Sequence, residues 1–154
     1  MQIYLAALLI GVIAGLRTFT APAAVSWAAY LGTLSLQHTR LAFLYSGITA
    51  WIFTALVIAE SVFDQLPTTP SRKTPPQFSA RIASGALCGA AVAIPRGSWA
   101  TGLGAGIIGA IVGTLGGSDV RRRLAHAFRR DRPAGILEDF VAIVGAALIV
   151  TVLA

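Results

Sequence analysis

A run of twenty-three residues from Leu41 to Phe63 contains a single charged side chain, that of Glu60. A helix rises about 1.5 Å per residue, so a helix of this length crosses a bilayer core of roughly 30 Å. The run therefore predicts a transmembrane helix. An ionisable carboxyl near the end of such a span is unfavourable without a partner or a hydrated cavity. Glu60 is therefore the first candidate functional residue.

The whole chain has the composition of a membrane protein. Of its 154 residues, 56% are hydrophobic and 12% are charged, and the mean hydropathy is +0.76. Soluble domains carry about 25% charged residues. One transmembrane domain over residues 1–154 fits this length, because four or more spans of about 20 residues and their loops fill it. The net charge of +6 is gathered in two short segments, which favours a topology signal over nucleic-acid binding.

The apolar runs predict an all-α, polytopic protein of five or six membrane segments. Residues 1–36 would be about 54 Å long as one helix, so we expect a break at residues 16–22, near Pro22. These residues then either cross the membrane twice or form a re-entrant pair. The remaining predicted segments are a span at 41–63, a proline-rich loop at 67–79, helices at 82–95 and 98–117, a basic surface helix or loop at 118–133, and a last span at 135–154.

The basic residues predict the orientation of the chain. Loops rich in arginine and lysine face the cytoplasm, so we expect the segment that holds Arg72, Lys73 and Arg81 to lie there, together with residues 118–134. The helix hairpin between them supplies the two crossings that this requires. The second segment is also expected to contact anionic lipid headgroups. The residues predicted to do so are Arg121, Arg122, Arg123, Arg129 and Arg130.

Glycines recur at the spacing that allows membrane helices to approach closely. Several pairs four residues apart form GxxxG motifs. The predicted helix-packing residues are Gly102, Gly106, Gly109, Gly113 and Gly117. Residues 104–109 also satisfy GxGxxG, but the dinucleotide fingerprint requires a preceding strand within a βαβ unit, so helix packing is the better interpretation. The spacing leaves open whether these faces pack within one chain or between chains; a homo-oligomer is expected.

One arginine and four carboxylates come to the same membrane face in this topology. Glu60 and Asp64 share a helix face, which suits a cation or proton site. Arg17 and Thr18 precede a half-helix and would offer an anion a guanidinium, a hydroxyl and backbone N–H groups. The candidate substrate-binding or ion-binding residues are Arg17, Thr18, Glu60, Asp64, Glu138 and Asp139.

The same charges also have structural explanations. Arg17 would form an ion pair with Glu60 or Asp139 to hold the helices together, and Asp64 would be a solvated acid at the helix end. Glu138 and Asp139 would lie in the first turn of the last helix, where acids interact favourably with the helix dipole. These alternatives remain open at the level of sequence.

Other functional classes and an internal repeat receive little support. His38 and His126 are far apart in the sequence, so no metal site or cofactor is expected, and nothing makes a positive case for an enzyme. Cys88 is the only cysteine, so no intrachain disulfide forms. Arg17 and Arg96 are half a chain apart, which suggests half-repeats at 1–77 and 78–154, an inverted-repeat arrangement known from transporters.

The polar motifs resemble those of a known family. They are Gly15-Leu16-Arg17-Thr18-Phe19 with Pro22, then Glu60 and Asp64 before Pro67, then Arg81 leading into Gly85-Ala86-Leu87, and finally Glu138-Asp139. Together they resemble the bacterial membrane family catalogued as domain of unknown function 4126, over nearly the whole chain. The resemblance implies a small multi-span protein of the bacterial cytoplasmic membrane and carries no known activity.

Two functional hypotheses follow from the sequence. The first is a small transporter or channel for an unidentified solute or ion, with an arginine and carboxylate site at the cytoplasmic membrane face. The second is a non-transporting scaffold or assembly factor, in which the charges are structural and the glycine faces bind a partner.

Overall fold

The structure, a computed structural model, describes residues 2–64, 74–128 and 131–153. These residues form six α-helices and two short 3-10 helices and contain no β-strand, so the prediction of an all-α fold is confirmed. The α-helices are α1 (Gln2–Leu16), α2 (Thr20–Tyr30), α3 (Gly47–Phe63), α4 (Pro75–Ala93), α5 (Trp99–Phe128) and α6 (Asp131–Leu153).

Within the described residues, three helices are long and apolar enough to cross a membrane. They cover Pro75–Arg96, Trp99–Ala127 and Pro133–Val152. Helices α1 and α3, with 15 and 17 residues, are apolar but shorter. Large apolar side chains such as Trp51 and Phe140 are exposed on the outside of the bundle. An apolar surface of this kind marks a site of contact with a membrane or another protein.

The predicted span at 41–63 is not one helix. A 3-10 helix occupies Ala42–Tyr45, Ser46 is extended, and α3 begins only at Gly47. Leu36, which precedes this turn, and Leu44, which lies within the 3-10 helix, are both fully buried. The hydrophobic burial of these two side chains anchors the connection to the bundle, which a straight helix from residue 41 would not allow.

Helices α4 and α5 are both longer than the sequence predicted. α4 begins at Pro75, so residues 75–79 are helical rather than loop, and the predicted half-repeat boundary at residue 77 falls inside α4. Proline is tolerated in a first helical turn because its missing N–H would lack a partner there. α5 continues without a break to Phe128, so residues 118–128 extend this helix and do not form a separate surface helix. Residues 65–73, with Arg72 and Lys73, lie outside the described part of the chain.

Helix α6 also begins earlier than predicted, at Asp131 rather than residue 135. Glu138 and Asp139 are therefore two turns inside the helix. The field of a helix dipole acts mainly within the first turn. The structural explanation that assigned both acids to the helix start is therefore wrong.

Helices α1, α4 and α5 form a tightly packed core, because glycines line both sides of α5. A Cβ added to Gly89 of α4 would lie 2.8 Å from the Cα of Gly106, and one added to Gly109 would lie 2.8 Å from the backbone nitrogen of Val12 in α1. Such contacts are far too short for any side chain. The predicted glycine faces thus pack within one chain. Helices α3 and α6 lie at the periphery of this core, and Ala50 is the one buried residue of α3.

Candidate functional site

The helical structure breaks for three residues, 17–19, between α1 and α2. Side chains from α4 donate hydrogen bonds to backbone carbonyl groups there. Arg81 Nη1 donates hydrogen bonds to the carbonyl oxygens of Gly15 at 2.7 Å and of Leu16 at 2.6 Å. Ser84 Oγ donates to the carbonyl oxygen of Thr18 at 2.6 Å. Non-helical backbone at membrane depth requires such internal partners. The break predicted at residues 16–22 is therefore built into the packing of α1 against α4.

Glu60 holds the other side of the same break. Its carboxylate accepts hydrogen bonds from the backbone N–H of Thr18 at 2.8 Å and of Phe19 at 3.1 Å. These are free donors at the start of α2, where a negative charge is favourable. Arg81 Nη2 lies 3.6 Å from Glu60 Oε1. The ion-pair partner of Glu60 is therefore Arg81, and the predicted Glu60–Arg17 pair is wrong.

Arg17 connects the two peripheral helices. Its side chain is only 2% exposed; Nη1 lies 3.0 Å from Asp64 Oδ2 at the end of α3, and Nη2 contacts Asp139 Oδ1 of α6. Although these charges are close, Nε and Nη1 have no hydrogen-bond partner. A buried guanidinium therefore bridges α3 and α6 with part of its donor capacity unused.

A third arginine enters the site from α5. Arg121 Nη1 lies 3.4 Å from Asp64 Oδ2 and 3.5 Å from Glu138 Oε2, and the side chain is 15% exposed. The sequence had assigned Arg121 to lipid headgroups, but the structure turns it towards these carboxylates. Arg122, in contrast, is exposed and pairs with Asp119 at 3.3 Å. Arg129 and Arg130, also expected at the headgroups, lie outside the described residues.

We call this group the polar cluster. It consists of Arg17, Glu60, Asp64, Arg81, Arg121, Glu138 and Asp139. Its three arginines belong to the glycine-packed core and to the break that follows α1. Two of its carboxylates belong to the C-terminal end of α3, and the other two lie two turns inside α6. The cluster lies about two helical turns from the ends of α4, α5 and α6, so it is placed within the bundle and not at its tip.

Sequence reasoning missed two members of the polar cluster, although a signal was present. Arg81 precedes Gly85 by four residues, and Arg121 follows Gly117 by four. Residues four apart share a helix face. Each arginine therefore lies on the same helix face as glycines that pack into the core. This position distinguishes the two arginines from the other basic residues of their segments.

The residues of the polar cluster have the chemistry to bind and release ions. Carboxylates that face guanidinium groups can take up a proton or a cation, and the guanidinium groups can then bind an anion. Within residues 2–64, 74–128 and 131–153, no three His, Cys, Asp or Glu side chains are arranged to hold a metal ion.

No family model, curated protein or solved structure matches this chain. The resemblance to the family catalogued as domain of unknown function 4126 stays a prediction.

Proposed function

We propose that this protein is a small multi-pass transporter or channel of the bacterial cytoplasmic membrane, with the polar cluster as its ion-binding or substrate-binding site. One observation carries the proposal, namely the separation of charges between core and periphery. Arg81 and Arg121 belong to core helices and Arg17 to the break that follows α1, whereas all four carboxylates are held by α3 and α6.

This separation of charges supports a mechanism in which the peripheral helices α3 and α6 move relative to a rigid core. The glycine contacts leave α1, α4 and α5 no room to shift independently. Helices α3 and α6 bury little side-chain surface, and they are joined to each other through Arg17. Neutralising a carboxylate by a proton or a cation would remove one of these attachments. Such an event would let a peripheral helix change position relative to the core.

The orientation follows from where the basic segments lie. Asp64, at the end of α3, and Asp139, near the start of α6, both contact Arg17, so the α3–α4 and α5–α6 connections are at the same end of the bundle. We place this end in the cytoplasm because both connections are basic. There Arg122 and Arg123 are exposed and available to anionic lipid headgroups. A homo-oligomer stays a prediction.

Flux measurements test the transport proposal. The purified protein is reconstituted in liposomes and offered a panel of anions, cations and small organic solutes under an imposed pH gradient. We expect flux for at least one solute, and we expect Asp139→Asn to abolish its dependence on the gradient while the protein remains folded. Asp119→Asn is the matched control, because Asp119 is exposed and outside the polar cluster. Absence of flux for the whole panel, or equal effects of the two variants, would contradict the proposal.

A scaffold remains the second candidate, favoured by the use of Arg81 and Glu60 to satisfy the break between α1 and α2. If the charges were only structural, removing both members of the Arg17–Asp139 pair would restore what removing one had lost. The double variant Arg17→Gln with Asp139→Asn distinguishes the transporter from the scaffold. A double variant that regains stability but does not regain flux supports transport. A folded wild-type protein that carries no solute supports the scaffold.

A further inference from the structure

An apolar groove of about 560 Å³ opens between α2, α3 and α6. α2 contributes its floor, and α3 and α6 form its walls. The side chains along it include Ala24 and Trp27 of α2, Ile58 of α3, and Ala147 and Val150 of α6. The Trp27 indole N–H donates to Thr54 Oγ1 at 3.0 Å, so the largest polar group in the groove already has a partner.

The groove runs along the helix faces that lead to the polar cluster. Thr20, at one end of the groove, follows Arg17 by three residues. Ile143 lines the groove one turn after Asp139 on α6. Along α2 and the residue that follows it, the lining extends from Thr20 to Leu31, a distance of about 17 Å at about 1.5 Å per residue. The arrangement is an elongated apolar trough, and the buried Arg17 contacts Asp139 one helical turn before the lining residue Ile143.

Arg17 has the unused donors that a ligand at this end would need. Nη2 contacts Asp139, but Nε beside it has no hydrogen-bond partner. The Nε and Nη2 edge of a guanidinium binds two oxygens of a carboxylate side by side. Asp139 uses half of that edge. Because Asp139 belongs to a peripheral helix and Arg17 to the fixed break after α1, the carboxylate is the exchangeable partner.

We propose that the ligand of this site is a single-chain amphiphile with a carboxylate headgroup. The headgroup binds the Nε and Nη2 edge of Arg17 in place of Asp139, and the alkyl chain lies in the groove between α2, α3 and α6. The exchange of one carboxylate for another keeps Arg17 paired throughout. This inference rests on the proposed function and gives its substrate class.

Photolabelling tests the proposal on the intact protein in nanodiscs of zwitterionic lipid. The probe is a twelve-carbon carboxylate with a diazirine at the end of its chain. We expect labelling to concentrate on Leu31 and Thr151, where the groove lies furthest from Arg17. Dodecanoate should displace the label, whereas dodecanol and dodecyltrimethylammonium should not. Equal displacement by all three, or labelling spread over lipid-facing positions such as Phe140, would overturn the proposal.

Two matched variants on α6 keep the test independent of folding at Arg17. Ala147→Phe fills the groove, whereas Leu148→Phe changes an exposed residue that does not line it. We expect the first to abolish displaceable labelling and the second to leave it unchanged; equal labelling in both refutes the groove. If the wild-type protein carries another solute but shows no displaceable labelling, only this substrate class is overturned. If the wild-type protein shows displaceable labelling but carries no solute, the binding site stands and transport is overturned.

Discussion

Replacing Glu60 by Gln should strongly destabilise the break between α1 and α2. The side chain of Glu60 is 10% exposed and that of Arg81 is 1% exposed, so the pair is buried. Gln loses the charge that faces Arg81, and its amide nitrogen, which donates, would replace one of the two oxygens that accept from Thr18 N–H and Phe19 N–H. Breaking a buried pair from one side costs about 3 to 5 kcal/mol. We expect Glu60→Gln to lose stability within this range.

A double-mutant cycle identifies the partner of Glu60. Glu60→Gln with Arg81→Gln should be about 1 to 3 kcal/mol more stable than the sum of the single changes predicts, because neither charge is then left alone. The coupling of Glu60 with Arg17 should be smaller, since these side chains form no ion pair. Arg122→Gln is the distant control, and it should be additive with Glu60→Gln within about 0.5 kcal/mol.

Reversible unfolding in mixed micelles, followed by circular dichroism, supplies these free energies. The decisive comparison is between the two couplings. If Glu60 couples to Arg17 as strongly as to Arg81, the geometry derived for the break is incorrect.

Two further predictions concern packing and topology. Gly106→Leu should lower the free energy of unfolding by more than about 3 kcal/mol, because the new side chain would overlap the backbone of α4. In the control Gly104→Leu the new side chain enters open space, so stability should change by no more than about 1 kcal/mol. Equal thermal stability of both variants in detergent would contradict the glycine packing of the core. In a Cys88→Ser background, an impermeant maleimide added to intact cells should label Gln37→Cys but not His126→Cys, because these exposed residues lie at opposite ends of the bundle; labelling only at residue 126 would reverse the orientation.

The sequence predicted the all-α class and the break after α1 because both depend on local chemistry. Long apolar runs leave helices as the main solution within a membrane. The polar residues after Leu16 interrupt such a run, so the break could be located within a few residues. The glycine spacing on α5 likewise indicated a packing face, since four-residue spacing is a property of one helix.

The helix ends and ion-pair partners were harder to predict because they depend on contacts between distant segments. The start of α3 at Gly47 follows from burial of Leu36 and Leu44 against the core. The pairing of Glu60 depends on the register between α3 and α4, which sequence spacing does not reveal. Hence Glu60 was assigned to Arg17 instead of Arg81, whereas the alternative pairing of Arg17 with Asp139 is confirmed.

The contacts of the four carboxylates divide them into two roles. Glu60 accepts two backbone hydrogen bonds and lies near Arg81, so neutralising it would disturb the fold at the break itself. Among the described residues, Asp139 forms its ion pair with Arg17, and it shares that guanidinium with Asp64. If Asp139 became neutral, Arg17 would keep a carboxylate partner, so the core would remain satisfied. In the proposed transport cycle, a residue that exchanges partners must be replaceable without unfolding the protein. We therefore propose Asp139 as the exchangeable carboxylate and expect Glu60 to be structural.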